Sequence, residues 1–307
     1  MHNDFESESS SAEHIPVLAK TLTGQINLPQ DAVMVDATIG HGGHSFLFGK
    51  TLGPEGVIIG MDVDENSIAR ARLKLEGLDC KVKFIRENFS RISEAVSSAG
   101  FEKVDFILAD LGVCSAQLVN TDRGLSFQSN MPLDMRLDNR LGQTAEKVVN
   151  NLDEKSLADI IYQYGEDRAS RRIARFIVEY RNHQAIKSTG QLASIVCKAL
   201  GKSGPGRGSK IHPATRTFQA LRIFVNDELK NLEKLLNSAP KLLKAGGYFA
   251  IISFHSLEDR LVKQSFKSNK ASDIYRILTK KPIIPSKEEI AENPRARSSK
   301  LRIAQKL

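Results

Sequence analysis

Asp36-Ala37-Thr38-Ile39-Gly40-His41-Gly42-Gly43-His44-Ser45 is the stretch that decides the fold. An apolar run leads into it as a buried strand. Its glycines then let the backbone turn sharply and lie close to a ligand that larger side chains would hold away. Twenty residues after Gly42, Asp62 ends the next apolar run. A carboxylate at that place accepts hydrogen bonds from the ribose hydroxyls of a nucleoside ligand. Two cofactor classes share this arrangement. A dinucleotide site asks for G-x-G-x-x-G/A, with a third small residue that lets the helix close on the strand. Here Ser45 stands at that position, and Asp36 opens a D-x-x-x-G-x-G pattern that fits a methyltransferase better than a nicotinamide-dependent oxidoreductase.

Working outward, the first third of the chain alternates strand and helix patterns, as a parallel α/β sheet requires. Strands are predicted over 32–38, 57–63, 82–89 and 104–111, with helices over 44–52, 65–75 and 91–99 between them. Beyond about residue 120 the alternation stops. Helical periodicity covers 145–150, 154–164, 169–182 and 189–200, and a Gly-rich loop follows over 201–210. A long helix or broken pair over 215–243, a strand at 247–254, a helix from Leu257 and closing strands over 275–284 and 300–307 complete the pattern. The economical reading is an α/β domain over 14–119 and 213–307, interrupted by a helical insertion over 120–212. An acidic, Ser-rich tail at 1–13 precedes it and is expected to be disordered. Two consecutive domains would leave a four-stranded half sheet without its C-terminal partner.

Net charge is +8, placed unevenly: residues 163–212 carry ten Lys/Arg against three Asp/Glu, and residues 267–307 eleven against four. That placement points to an anionic partner, with Arg168, Arg171, Arg172, Arg175, Arg295, Arg297, Lys300 and Arg302 as candidate phosphate contacts. Three widely spaced cysteines (Cys80, Cys114, Cys197) exclude a disulfide framework and suit a reducing cytoplasm. No apolar stretch is long enough for a membrane helix, and no signal-peptide order is present. His41 and His44 lack the further ligands that a metal site needs, so no metal is expected.

Asp110, at the end of the fourth predicted strand, lies on the sheet edge where ligands bind in doubly wound folds. An acid there can orient a nucleophile or take its proton, or it can simply cap the next turn. Cys114 stands close by. A cysteine thiolate is needed by enzymes that methylate pyrimidine C5, whereas its bland reading is a small residue filling a turn. Asp134 and His255 are further candidates for proton transfer, each with a structural alternative: ion pairing to Arg136 or Arg140, and hydrogen bonding after a buried strand.

The chain resembles the bacterial ribosomal RNA small-subunit methyltransferase H family. The resemblance rests on His14-Ile15-Pro16-Val17-Leu18, DATIGHGGHS (36–45), RGLSFQSNMPLDMRLD (123–138), YGEDRASRRIAR (from 164), HPATRTFQALRIFVNDEL (from 212), SFHSLEDRLVK (from 253) and NPRARSSKLRIA (from 293). It implies a class I Rossmann-like methyltransferase sheet interrupted by a helical insertion domain. It also implies S-adenosylmethionine as cofactor and a cytosine N4 amine of 16S ribosomal RNA, near the decoding site, as acceptor. By resemblance Gly42, Gly43 and His44 form the cofactor loop, Asp62 holds the ribose, Phe89 flanks the adenine, and Asp110 and Gln117 complete the pocket. Where the family commonly reads D-L-G-V-S-S-P-Q, this chain has Cys114 and Ala116, which puts the turn in question but leaves Asp110 and Gln117 in place. The expected partner is ribosomal RNA or the small ribosomal subunit. The insertion, with Lys202, Arg207 and Lys210 among its loop glycines, is expected to grip RNA and take no part in cofactor binding. A noncatalytic ribosome-assembly factor built on the same scaffold is the alternative of another class.

Overall fold

In a computed structural model of the chain, residues 16–112, 123–126, 130–202 and 212–307 are described. The acidic tail, Cys114, Gln117, Arg207 and Lys210 lie outside the described residues.

The alternating pattern folds as one seven-stranded sheet in the order β3-β2-β1-β4-β5-β7-β6, built from β1 (Val33–Asp36), β2 (Val57–Asp62), β3 (Lys81–Arg86), β4 (Val104–Asp110), β5 (Leu243–Ser253), β6 (Tyr275–Ile277) and β7 (Lys300–Lys306). The first five strands run parallel, and β7 inserts antiparallel between β5 and β6. β1 and β4 are buried along nearly their whole length because helices cover both faces, which is why they read as continuous apolar runs. One face takes α4 (Ile92–Ser98), α10 (Glu228–Leu242) and α11 (Ser256–Ala271), through Val96, Leu235 and Phe266 among others. The other takes α1 (Ala19–Gln25) and α2 (Gly43–Gly49), through Leu22 and Phe48 against Phe106 and Ile303. Helix α3 (Glu65–Lys74) joins β2 to β3. The strand order reverses between β1 and β4, which opens the ligand crevice at their carboxyl ends.

The helical part has its own core, formed by α5 (Ala145–Asn151), α6 (Glu154–Gly165), α7 (Ser170–Arg181) and α8 (Thr189–Leu200). It also takes in α9 (Thr215–Val225), whose Phe218, Leu221 and Val225 are buried among these helices. The helical core therefore runs past residue 212 to Val225. The expected long helix over 215–243 is a broken pair, kinked at Asn226 and Asp227, where Asp227 takes φ +50°. Three further bounds differ from expectation. β3 stops at Arg86, so Phe89 sits in a 3-10 turn (Phe89–Arg91). β5 begins at Leu243. Of the strand expected over 275–284, Tyr275–Ile277 forms, with an isolated bridge from Ile283 to Leu301. Helices α1 and α12 (Lys287–Glu292) have no counterpart in the sequence reading. No described helix is long and apolar enough to cross a membrane.

Candidate active site

The loop after β1 is held by its own acids. Asp36 is buried and accepts from the Ser45 hydroxyl (2.7 Å) and the Thr38 N–H (3.3 Å), which ties the strand end to the first turn of α2. Burial raises its pKa, although Ser45 and His44 pull the other way. Ser45, the residue that departs from the dinucleotide pattern, is thus the partner of the acid that fits a methyltransferase. Gly42 takes φ +78°, and a Cβ there would press on Ala71 and Leu75 of the next helical segment at 3.3–3.4 Å. A larger residue at Gly42 would be strained and would also push the loop off α3.

Asp62 accepts from the Gly40 N–H (3.0 Å) and the Asp64 N–H (2.9 Å), one on each oxygen. A carboxylate has about four lone-pair sites, so acceptor capacity remains on the cleft side. Burial pushes its pKa up to about 6. At the end of β4 the Asp110 N–H donates to Thr38 Oγ1 (2.7 Å), and its Oδ1 accepts from the Gly112 N–H (3.1 Å). Its Oδ2 lies 3.6 Å from His44 Nε2. The His44 ring is 7% exposed, and neither of its nitrogens has a hydrogen-bond partner among the described residues.

These residues border two adjoining cavities that share Thr38, Gly40, Asp110 and Gly112. The larger, about 340 Å³, is a cleft at the carboxyl ends of β1, β2 and β4. Asp62, Phe89 and Leu111 line it from the sheet side. Leu137, Asp138 and Leu141 line it from the inserted segment, with Arg222, Asn226 and Glu228 at the kink between α9 and α10. The insertion therefore walls the same cleft that the cofactor candidates border. The smaller cavity, about 70 Å³, lies between the glycine loop, Phe254 and Arg295.

The cleft fits a nucleoside cofactor. A carboxylate with spare acceptor capacity faces it, an aromatic ring and leucines offer flat apolar walls for a purine, and the glycine turn admits close backbone approach. Of the predicted cofactor residues, Asp62, Phe89 and Asp110 border the large cleft, while Gly43, His44 and Asp110 border the small one.

Asp134 and His255 border neither cavity. Asp134 is clamped by Arg136, with Nε and Nη2 both at 2.7 Å. Burial raises its pKa, but the Arg136 bonds outweigh this and hold the carboxyl below its ordinary value. His255 caps α11: Nδ1 accepts from the Glu258 N–H, while the Glu258 carboxylate takes the Phe254 and His255 N–H groups. Glu228, His255 and Glu258 bring one ligand-type atom each within 4.8 Å of one another. Both Glu228 oxygens accept from Arg222, at 2.7 and 2.9 Å, and His255 Nε2 lies 3.1 Å from the Glu258 carboxylate.

Arg168, Arg171, Arg172, Lys202, Arg295 and Arg297 are exposed. Arg302 is not available to a phosphate: it is 7% exposed and bonded to Asp259 at 2.7 Å. Lys300 lies 3.6 Å from the same carboxylate, and Arg175 pairs with Glu179. Sequence reasoning missed Arg222, Asn226 and Phe254. The readable signal for Arg222 was a basic residue amid an apolar helix face with Glu228 six residues on.

The raised Asp62 pKa carries a prediction. In the free protein the carboxyl is about half protonated near pH 6. Ribose hydroxyls donate more strongly to the charged form, so binding lowers the pKa and expels a proton. S-adenosylhomocysteine should therefore bind with proton release near pH 6, with little release at pH 7.5, and more weakly as pH falls below 6. Titration calorimetry in buffers of different ionisation enthalpy reads this directly. A proton count that is the same at both pH values would remove Asp62 from the ribose role.

Comparison with known proteins agrees with this geometry. The MraW methylase family model matches residues 11–307. The chain is 44% identical to Ribosomal RNA small subunit methyltransferase H of Clostridioides difficile, over 96% of this chain and 99% of that protein. The proteins of the same name from Cyanothece sp. and Acidobacterium capsulatum are 48% and 45% identical, over 96% and 95% of this chain and 95% and 98% of their own length. With the match running from the start of the described residues through β7, the chain belongs to the MraW methylase family.

Proposed function

We propose that this protein transfers a methyl group from S-adenosylmethionine to the N4 amine of a cytosine in small-subunit ribosomal RNA, near the decoding site. The observation that supports this most is the near full-length identity to proteins named for small-subunit ribosomal RNA methylation. The cleft adds a donor set suited to the cofactor.

When bound, the cofactor supplies an electrophilic methyl group on a sulfonium. The residues of the chain do the rest. The cytosine amine is a weak nucleophile because its lone pair is delocalised into the ring, so alignment and desolvation carry most of the acceleration. Asp110 is fixed from both sides, by Thr38 through its backbone and by Gly112 through Oδ1. Oδ2 is left to accept the amine proton, and the His44 imidazole 3.6 Å away can steady the charge. Arg168, Arg171 and Arg172 on and beside α7 present exposed guanidinium groups for the phosphate backbone. Together with the exposed Lys202 they support the helical part as the RNA-gripping side.

Mass spectrometry of nucleosides from unmethylated small subunits treated with the protein tests the reading, and N4-methylcytidine is the expected product. A product of 5-methylcytidine would favour ring attack by Cys114, and no product at all would favour an assembly factor. Because amine methylation needs no covalent adduct to the ring, Cys114→Ser should keep most of the activity. A serine variant that binds cofactor yet transfers nothing would overturn the amine mechanism.

A further inference from the structure

We infer that the outer face of α11 is a docking rail for the phosphate backbone of ribosomal RNA, with Lys263, Lys267 and Lys270 as its contacts, and that it meets the arginines of α7 at Glu166. The inference rests on the function proposed above and adds where the substrate is held beyond the cleft.

Lys263, Lys267 and Lys270 are exposed, and no side-chain partner holds any of them among the described residues. At 3.6 residues per turn, they and Arg260 fall within an arc of roughly 80° on the helix. The rest of the exposed surface of α11 is Ser256, Gln264, Ser268 and Ala271. No acid interrupts the stripe, because both acids of α11 are engaged elsewhere. Glu258 accepts from the Phe254 and His255 N–H groups, and Asp259 holds Arg302 at 2.7 Å. The next exposed acid, Asp273, lies past the helix end. Helix α10, on the same face of the sheet, differs: its exposed Lys230, Glu233 and Lys234 mix the two signs, as a merely solvated face does. A single-sign stripe without an exposed aromatic or large apolar side chain gives a protein partner no anchor. Ammonium groups on flexible stems, one turn apart, suit a row of phosphates.

The clasp at the head of the stripe places it. The Glu166 carboxylate, just past the end of α6, accepts from Ser256 Oγ at 2.5 Å and from Arg260 Nη2 at 2.8 Å. Arg168 follows two residues later, and Arg171 and Arg172 are exposed in the first turn of α7. Two cationic helices, one from each core, therefore start at this single contact. The first turn of α11 also gives Glu258 to the wall of the larger cleft. Lys270 stands about 18 Å along the helix axis from Glu258, so the rail reaches RNA that flanks the target nucleotide.

The test uses the full-length protein, unmethylated small ribosomal subunits, and S-adenosylhomocysteine as a probe of the cofactor site. Replacing Lys263, Lys267 and Lys270 together by Gln should weaken subunit binding by roughly 10- to 100-fold near physiological salt. It should also flatten the slope of log affinity against log salt by about 2 to 3. The loss should appear in KM, and unchanged S-adenosylhomocysteine affinity shows that the variant is folded. Replacing the three by Arg keeps the charge and should keep the wild-type slope. Lys230→Gln with Lys234→Gln, on the mixed face of α10, should leave the slope unchanged. A triple Gln variant whose salt line runs parallel to the wild type would overturn the rail. Equal flattening per lysine in the α10 variant would overturn it too, because net charge alone would then set the slope. Deproteinised small-subunit RNA separates RNA from a protein partner. The same difference between wild type and triple Gln variant is expected there, and its absence would give the stripe to a ribosomal protein. The underlying reading fails separately, if the wild-type protein places no methyl group on ribosomal RNA whatever the salt slopes show.

Discussion

Asp110→Asn is expected to lower kcat for methyl transfer by about 100- to 10,000-fold, the range general-base groups contribute, while S-adenosylhomocysteine still binds within about tenfold of wild type. The substitution is nearly isosteric. Asparagine Oδ1 can still accept from the Gly112 N–H, and the backbone bond to Thr38 does not involve the side chain. What disappears is the negative charge beside His44 and the capacity to accept the amine proton at Oδ2. The loss therefore belongs in kcat, with the amine still placed and the proton left without an acceptor. Single-turnover kinetics on unmethylated small subunits separates this from slow product release. An Asn variant with wild-type single-turnover rates would mean that water takes the proton and that Asp110 only shapes the turn.

How much of this site was readable follows from what kind of constraint each residue obeys. Gly40, Gly42, Asp62 and Asp110 lie at strand ends, where backbone geometry and a ligand-facing acid impose a local pattern, so a linear reading finds them. The Asp36–Ser45 bond closes a turn between side chains nine residues apart, and no periodicity encodes it. His255 shows the opposite failure. A lone polar residue after a buried strand looks the same whether it takes a proton or caps a helix. The following Glu258, which completes the capping box, was the clue in the sequence. The boundary at 212 moved for a related reason. The apolar face of 215–225 has ordinary helical spacing, and spacing reports that a face is buried without reporting against which core. Leu137 and Leu141 reach the cleft only because the inserted segment folds back over β3, where Arg86 bonds the Asn139 carbonyl oxygen of the side chain at 2.9 Å. That placement is a tertiary fact.

The kink between α9 and α10 is the joint between the two cores, and it carries the largest expected stability effect. Arg222 at the end of α9 grips Glu228 at the start of α10 through two bonds, at 2.7 and 2.9 Å. The two side chains are 21% and 13% exposed. Burial alone would lower the Arg222 pKa, but Glu228 and Glu258 outweigh it and hold it above its ordinary value. Beside it the Asn226 side chain accepts from the Leu137 N–H (2.7 Å) and donates to the Met135 carbonyl (2.8 Å), pinning the inserted segment to the same joint. Arg222→Ala would strand the Glu228 carboxylate near Glu258 with no cation to balance it. Removing one partner of a buried pair costs about 3–5 kcal/mol, and the partial exposure here places the loss near 3. For a chain of this size that corresponds to a melting temperature lower by roughly 5 °C. Replacing both partners, as Arg222→Met with Glu228→Leu, removes the unbalanced charge and should recover most of the loss. Urea unfolding of the wild type and of the single and double variants decides the matter. A single variant as stable as the wild type would show that the pair adds nothing to the joint, and that the inserted helices are held over the cleft by Asn226 and apolar contact alone.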